Sequence, residues 1–155
     1  MTDAEKIRFK NKLKQHGLVL IGQRITAAKE AIAQAQQAAN QEEKSSAGDK
    51  YETGRAMGHL QKDMHSRQLS EQAKELATLL GVQVDTLYPV VRSGSFIQCE
   101  DLGFFMAAGL GKQIMDGRLI LFLSPLAPLA RSLEGKKTGD SFSLNGEEKI
   151  ILDLY

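Results

Sequence analysis

Residues 40–51 read NQEEKSSAGDKY. An alanine-rich amphipathic run stops at this polar stretch, and a second amphipathic run starts after it. That order predicts a helical hairpin whose exposed tip is this turn. At 1.5 Å of rise per residue, flanks of this length carry the hairpin roughly 40 Å, far more than a compact core needs. Ser46 and Asp49 have the spacing of a capping box for the second helix, so Asp49 has a structural role open to it as well as a chemical one. Glu42 and Glu43 fall at the C-terminal end of the first helix, where a carboxylate meets the negative end of the helix dipole. No structural reason places them there.

Upstream of the tip, Leu18, Ile21, Ile25, Ala28, Ile32, Ala35 and Ala39 follow a 3-4-3-4-3-4 spacing, an a/d seam. The seam residues shrink toward the tip, which predicts a close helix approach and a slim end. Downstream, the second helix is expected over 49–80, with Thr53, Met57, Leu60 and Met64 as one seam and Leu69, Ala73, Leu76 and Leu80 as another. The five-residue step between Met64 and Leu69 breaks the heptad and predicts a local change of winding or the point where the hairpin meets the globular part. Gly81 is the expected C-cap. Ahead of the first seam, Lys6, Lys10 and Lys14 share one helix face, read either as a contact for RNA or another acidic surface, or as a solvated face.

Composition narrows the class. The 155 residues are 42 % hydrophobic and 25 % charged, as in a folded globular protein. The charged N-terminus and its short apolar run Leu18 to Ile21 do not resemble a signal peptide or a membrane span, so a cytoplasmic protein is expected. Residues 1–80 carry 13 Lys+Arg against 10 Asp+Glu, and residues 81–155 carry 7 against 9. So even a balance argues against a free-standing nucleic-acid binder. It permits docking on a partner that already holds nucleic acid. Cys99 is the only cysteine and is expected to be a buried neutral thiol, while His59 and His65 lie on different helix faces and do not read as metal ligands.

Beyond residue 81 the periodicity becomes strand-like, over 87–91, 96–99, 102–108, 119–123, 142–144 and 149–154. Asn145-Gly146 signals a type I′ hairpin, and Pro128 opens a short helix that Gly135 ends. The expected fold class is α+β: a long antiparallel helical hairpin over 1–80, with its tip at 40–51, followed by a small antiparallel β domain with one short helix over 81–155.

Within that second half, Pro128-Leu129-Ala130-Arg131-Ser132-Leu133, followed by Gly135-Lys136 and Gly139-Asp140, resembles the S-P-L-A-R-A-L-x-G-K-x-x-G-D signature of the C-terminal domain of the GreA/GreB transcription elongation factors. Residue 127 is Ala where that family has Ser, and Arg92-Ser93-Gly94-Ser95 resembles the Gly-Ser-x-Val opening of the same domain. The resemblance implies an FKBP-like β domain that holds RNA polymerase at the rim of its secondary channel, through Pro128, Leu129, Arg131, Leu133 and Lys136. It also implies a coiled coil inserted in the channel. Two acidic tip residues of such factors help hold a second magnesium ion at the polymerase active centre, which then hydrolyses backtracked RNA. A hard cation prefers carboxylate oxygens, and a two-metal centre needs negative charge to retain its second ion.

The tip departs from the family pattern G-D-L-x-E-N-A-E-Y. With Tyr51 on the family tyrosine, the two acidic positions fall on Lys44 and Ala47. Glu42, Glu43 and Asp49 are the nearest carboxylates, with Ser45, Ser46 and Tyr51 completing the expected active-centre tip. The leading expectation is a cytoplasmic elongation factor that is not itself an enzyme. It would bind RNA polymerase, touch nascent RNA only indirectly, and need no cofactor, membrane or small-molecule substrate. Any magnesium would be shared with the polymerase through Glu42, Glu43 and Asp49. The alternative is a Gre-like channel-binding regulator or inhibitor without cleavage activity. A prolyl isomerase, suggested only by the FKBP-like sheet, lacks an aromatic pocket lining in a chain with no Trp and three Tyr. A coiled-coil adaptor with no polymerase link is the remaining reading.

Overall fold

A computed structural model of the chain describes the backbone of residues 1–45 and 49–155, and the side chains of 1–41 and 53–155. Two long helices, α1 (Asp3–Ser45) and α2 (Asp49–Gly81), pack against each other and precede a small sheet domain with a short helix, an α+β fold. Thr2 and Glu5 start α1 with a reciprocal capping box: the Thr2 amide donates to Glu5 Oε2 at 2.6 Å, and the Glu5 amide donates to Thr2 Oγ1 at 3.2 Å. The bond from the Thr2 backbone, and after it the Thr2 hydroxyl, hold the Glu5 carboxyl below its ordinary value. Among the described residues no helix is long and apolar enough to cross a membrane.

The chain forms two compact units, one of residues 1–19 with 75–155 and the other of residues 20–74. In the first, β1 (Phe96–Gln98), β2 (Gly103–Met106), β3 (Gly111–Met115), β4 (Arg118–Leu123) and β7 (Asp153–Leu154) make a sheet in the order β3-β4-β2-β1-β7. β5 (Ser141–Leu144) and β6 (Glu147–Ile150) form a separate hairpin, and α3 (Pro128–Leu133) lies between β4 and β5 in the chain. Every strand pair is antiparallel except β2 with β4.

Both faces of the larger sheet are covered. Phe96, Phe105 and Phe122 are aligned across three strands, and Phe9 of α1 meets Phe96 edge-on at 5.2 Å. On the other face, Ile97, Phe104, Met106 and Leu123 pack with Ala130 and Leu133 of α3 and Phe142 of β5. Burial on both sides is why β2, Gly-Phe-Phe-Met, reads as an unbroken apolar run instead of an alternating one.

Several local expectations change. Residues 87–91 form no strand, and the expected strand over 149–154 divides into the end of β6 and β7. β3 was not foreseen in the sequence; its turn to β4 is Asp116-Gly117, both with positive φ (52° and 73°), like Asn145-Gly146 at 51° and 81°. Gly81 closes α2 without a left-handed conformation. Its role passes to Lys14, whose ammonium donates to the carbonyls of Leu80 at 3.3 Å and Val82 at 2.7 Å.

Lys14 belongs to a row that turns inward, which corrects the solvated-face reading of the basic face. Lys6 reaches Asp153 at 3.3 Å and lies over the Tyr155 ring at 5.0 Å. Lys10 is wholly buried, donates to the Thr86 carbonyl at 2.7 Å and lies over the Tyr88 ring at 4.7 Å. Carbonyl oxygens and aromatic faces replace the water these ammonium groups lose.

Burial holds the Lys10 amine down to about 8, against its ordinary 10.5, with only partial opposition from Asp85. Below pH 8 the group is charged both folded and unfolded. Between that value and 10.5 the folded lysine has released its proton while the unfolded one has not, so stability rises with pH. The unfolding free energy of the wild type minus that of Lys10→Met should therefore grow by on the order of 3 kcal/mol from pH 7 to pH 10.5. Urea denaturation across that range checks it, and a flat difference would refute the assignment.

Candidate functional site

The 20–74 unit is built from α1 and α2 alone. From α1, Ile21, Ala28 and Ala35 are buried and Ile25, Ile32 and Ala39 half-buried, the seam expected from the heptads. The α2 side differs. Met57, Leu60 and Met64 are 53 %, 64 % and 50 % exposed, so they lie outside the seam expected for them. The inward line is Gly54, Gly58, Lys62, His65, Leu69 and Gln72. It passes through 65 and 69 in heptad order, so the five-residue step is no break in the winding.

The small residues of α1 decide this choice. A Cβ placed on Gly58 would stand 3.1 Å from the Ala39 Cβ, so the backbones approach too closely there for methionine. Lys62 adds a cross-helix bond to Gln36 at 3.1 Å. With Gly, Lys, His and Gln in the seam, the pair is narrow and buries little apolar area. Its methionine and leucine side chains form a stripe on the outside.

The side chains of the expected tip residues Glu42, Glu43, Ser45, Asp49 and Tyr51, and of Lys44, lie outside those described, and Ser46 and Ala47, and with them the Ser46–Asp49 capping box, lie outside the described residues altogether. Among the described residues no group of three His, Cys, Asp or Glu is arranged to hold a metal ion. His65 pairs instead with Gln68 at 3.1 Å. Cys99 is buried, and burial raises its thiol above the ordinary value.

The docking residues expected on the β domain divide between core and surface. Pro128 sits in the first turn of α3, after Ala127 (φ −64°, ψ 147°), which offers no side-chain cap. Leu133 is fully buried with Ala130, so its side chain serves the core. Leu129 is half-buried against the same core. Pro128 and Arg131 are exposed and Lys136 is half-buried. The backbone of Lys136 is tied down on both sides, its carbonyl accepting from Val91 at 2.9 Å and its amide donating to Leu133 at 3.0 Å. Gly135 and Gly139 have φ of 82° and 91°, and Asp140 accepts from the Lys137 amide at 2.8 Å. These three residues of the motif therefore shape turns. Leu126, 73 % exposed just ahead of α3, is an apolar surface residue that the sequence reading missed, because it precedes the motif. Leu126, Pro128 and Arg131, with Ser132 and Glu134, are exposed in this segment.

Comparison with protein-family models, curated proteins and solved structures finds no match.

The close approach at Gly58 carries its own test. Gly58→Leu should force the helices apart, speeding amide hydrogen exchange at 32–41 and 53–62 by about tenfold or more while β1–β4 stay protected. Unchanged exchange in the helices would mean that Gly58 does not set their spacing.

Proposed function

We propose that this chain is a Gre-type factor that binds RNA polymerase at its secondary channel and stimulates cleavage of backtracked RNA. The observation that carries the reading is the pairing of two parts in one chain. One is a narrow helical rod whose seam shrinks to Ala35, Ala39, Gly54 and Gly58. The other is a β unit that displays the exposed half of the Pro128–Leu133 motif. A rod with so thin a seam is poorly suited to forming a core, but suited to entering a confined space. In this reading the chain has no active centre of its own. Glu42, Glu43 and Asp49 lend carboxylate charge to the polymerase centre, which performs the hydrolysis. Leu126, Pro128 and Arg131 supply apolar area and one cation for docking, a combination favoured at protein interfaces. Cytoplasmic location follows from that partner.

The second reading, a channel-binding regulator without cleavage, is favoured by one specific feature. Lys44 and Ala47 occupy the positions where the resemblance places acids, and neither side chain can coordinate a cation.

A backtracked elongation complex distinguishes them. Added protein should shorten the RNA, and Glu42→Ala with Glu43→Ala, or Asp49→Ala, should abolish the effect. Arg131→Glu should weaken polymerase binding by about tenfold while leaving the fold intact, since the side chain is exposed. Binding without shortened RNA selects the regulator, and no binding to core polymerase rejects both.

A further inference from the structure

The β5–β6 hairpin and the loop after β1 border a groove of about 730 Å³ that contains none of the residues proposed to meet polymerase. It opens where two chain segments part. The Leu152 amide donates to the Gln98 carbonyl at 2.8 Å, and β7 continues that pairing along β1. In the other direction β6 and residues 99–101 diverge, and among the described residues no backbone hydrogen bond joins them. One side-chain bridge spans the gap, Lys149 to Asp101 at 3.1 Å. That bond holds the Asp101 carboxyl below its ordinary value and raises the Lys149 amine.

The edge of β6 facing away from β5 is open. In the hairpin, Leu144 opposite Glu147 and Phe142 opposite Lys149 are the hydrogen-bonded pairs that flank a two-residue turn, and the bond from the Ile151 amide to the Asp140 carbonyl continues the alternation. The amides and carbonyls of Glu148 and Ile150 therefore point outward, as an unpaired strand edge does. Beside them Ile150 and Leu152 are 53 % and 56 % exposed. The charge around the edge is one-sided: Glu100, Asp101, Glu147 and Glu148 against Lys149, which also meets Glu147 at 3.7 Å.

We propose that β6 receives an extended segment of a partner protein in which Lys or Arg alternates with apolar residues, added as a strand along the outer edge of β6. Backbone bonds to Glu148 and Ile150 provide the attachment, Ile150 and Leu152 the apolar contact, and the surplus carboxylates the selection for cations. A second copy of β6 does not fit, because its own Glu147 and Glu148 would face the same carboxylates. Nucleic acid is repelled for the same reason.

The probe is acetyl-Lys-Val-Lys-Val-Lys-Val-amide, titrated into the full-length isotope-labelled chain and followed by amide shifts. Saturable shifts should centre on Glu148, Ile150 and residues 99–102. An N-methylated version of the peptide, a version with Glu in place of Lys, and the variant Glu100→Lys with Glu148→Lys should each weaken binding by about tenfold or more. Both replaced glutamates are exposed, so the variant should keep the wild-type spectrum elsewhere. Shifts centred on another surface, equal binding of the N-methylated peptide, indifference to the charge reversals, or no binding at millimolar peptide would each overturn the proposal.

Discussion

Three ammonium groups on the first helix, at Lys6, Lys10 and Lys14, have given up much of their water, and each finds its replacement in a different part of the chain. Lys6 reaches the last strand, Lys10 the loop carbonyl of Thr86, and Lys14 the carbonyls of Leu80 in the last turn of α2 and of Val82 just beyond it. A buried charge without such partners is untenable, so the positions of residues 80–88 and of β7 against α1 are fixed together. Phe9, Leu13 and Gly17 alternate with these lysines and fill the space above the sheet. This is why the compact unit containing the sheet includes residues 1–19 and 75–81, although both belong to helices that continue beyond it.

The same helices obey a different rule between residues 20 and 74. There, spacing is set by what is absent from the seam. Alanines on α1 demand close approach, glycines on α2 permit it, and Met57, Leu60 and Met64 are excluded to the outside. Apolar side chains left in water on a narrow rod are a poor way to make a stable domain and a reasonable way to meet a partner's wall. The proposed polymerase role uses the narrowness of the rod.

The motif around α3 shows how one short segment serves two ends. Ala130 and Leu133 close the core beneath the sheet, and Gly135, Gly139 and Asp140 shape the turns that follow. Around α3 itself, Leu126, Pro128, Arg131, Ser132 and Glu134 are left to face outward. Most of the motif is thus accounted for by folding, and any docking role rests on its exposed minority.

Helix number and extent, the α1 seam, the Asn145-Gly146 turn and the short proline-led helix were legible in the sequence, because heptad spacing and turn chemistry are local. The α2 seam was not. Ranking residues by hydrophobicity selects Met57 and Leu60, whereas closeness to Ala39, a property of the partner helix, selects Gly58. The lysine row was misread for a similar reason: spacing along a helix says which side chains share a face, but only the folded chain decides what that face meets. β3 and the parallel pairing of β2 with β4 also depended on non-local contacts, since a strand such as Gly-Lys-Gln-Ile-Met carries almost no pattern until it lies beside Arg118–Leu123. The sequence by itself determined where the chain is helical, where it turns and which residues could face one another. Tertiary structure decided which of them do, because close packing and the desolvation of charge are settled between segments distant in the chain.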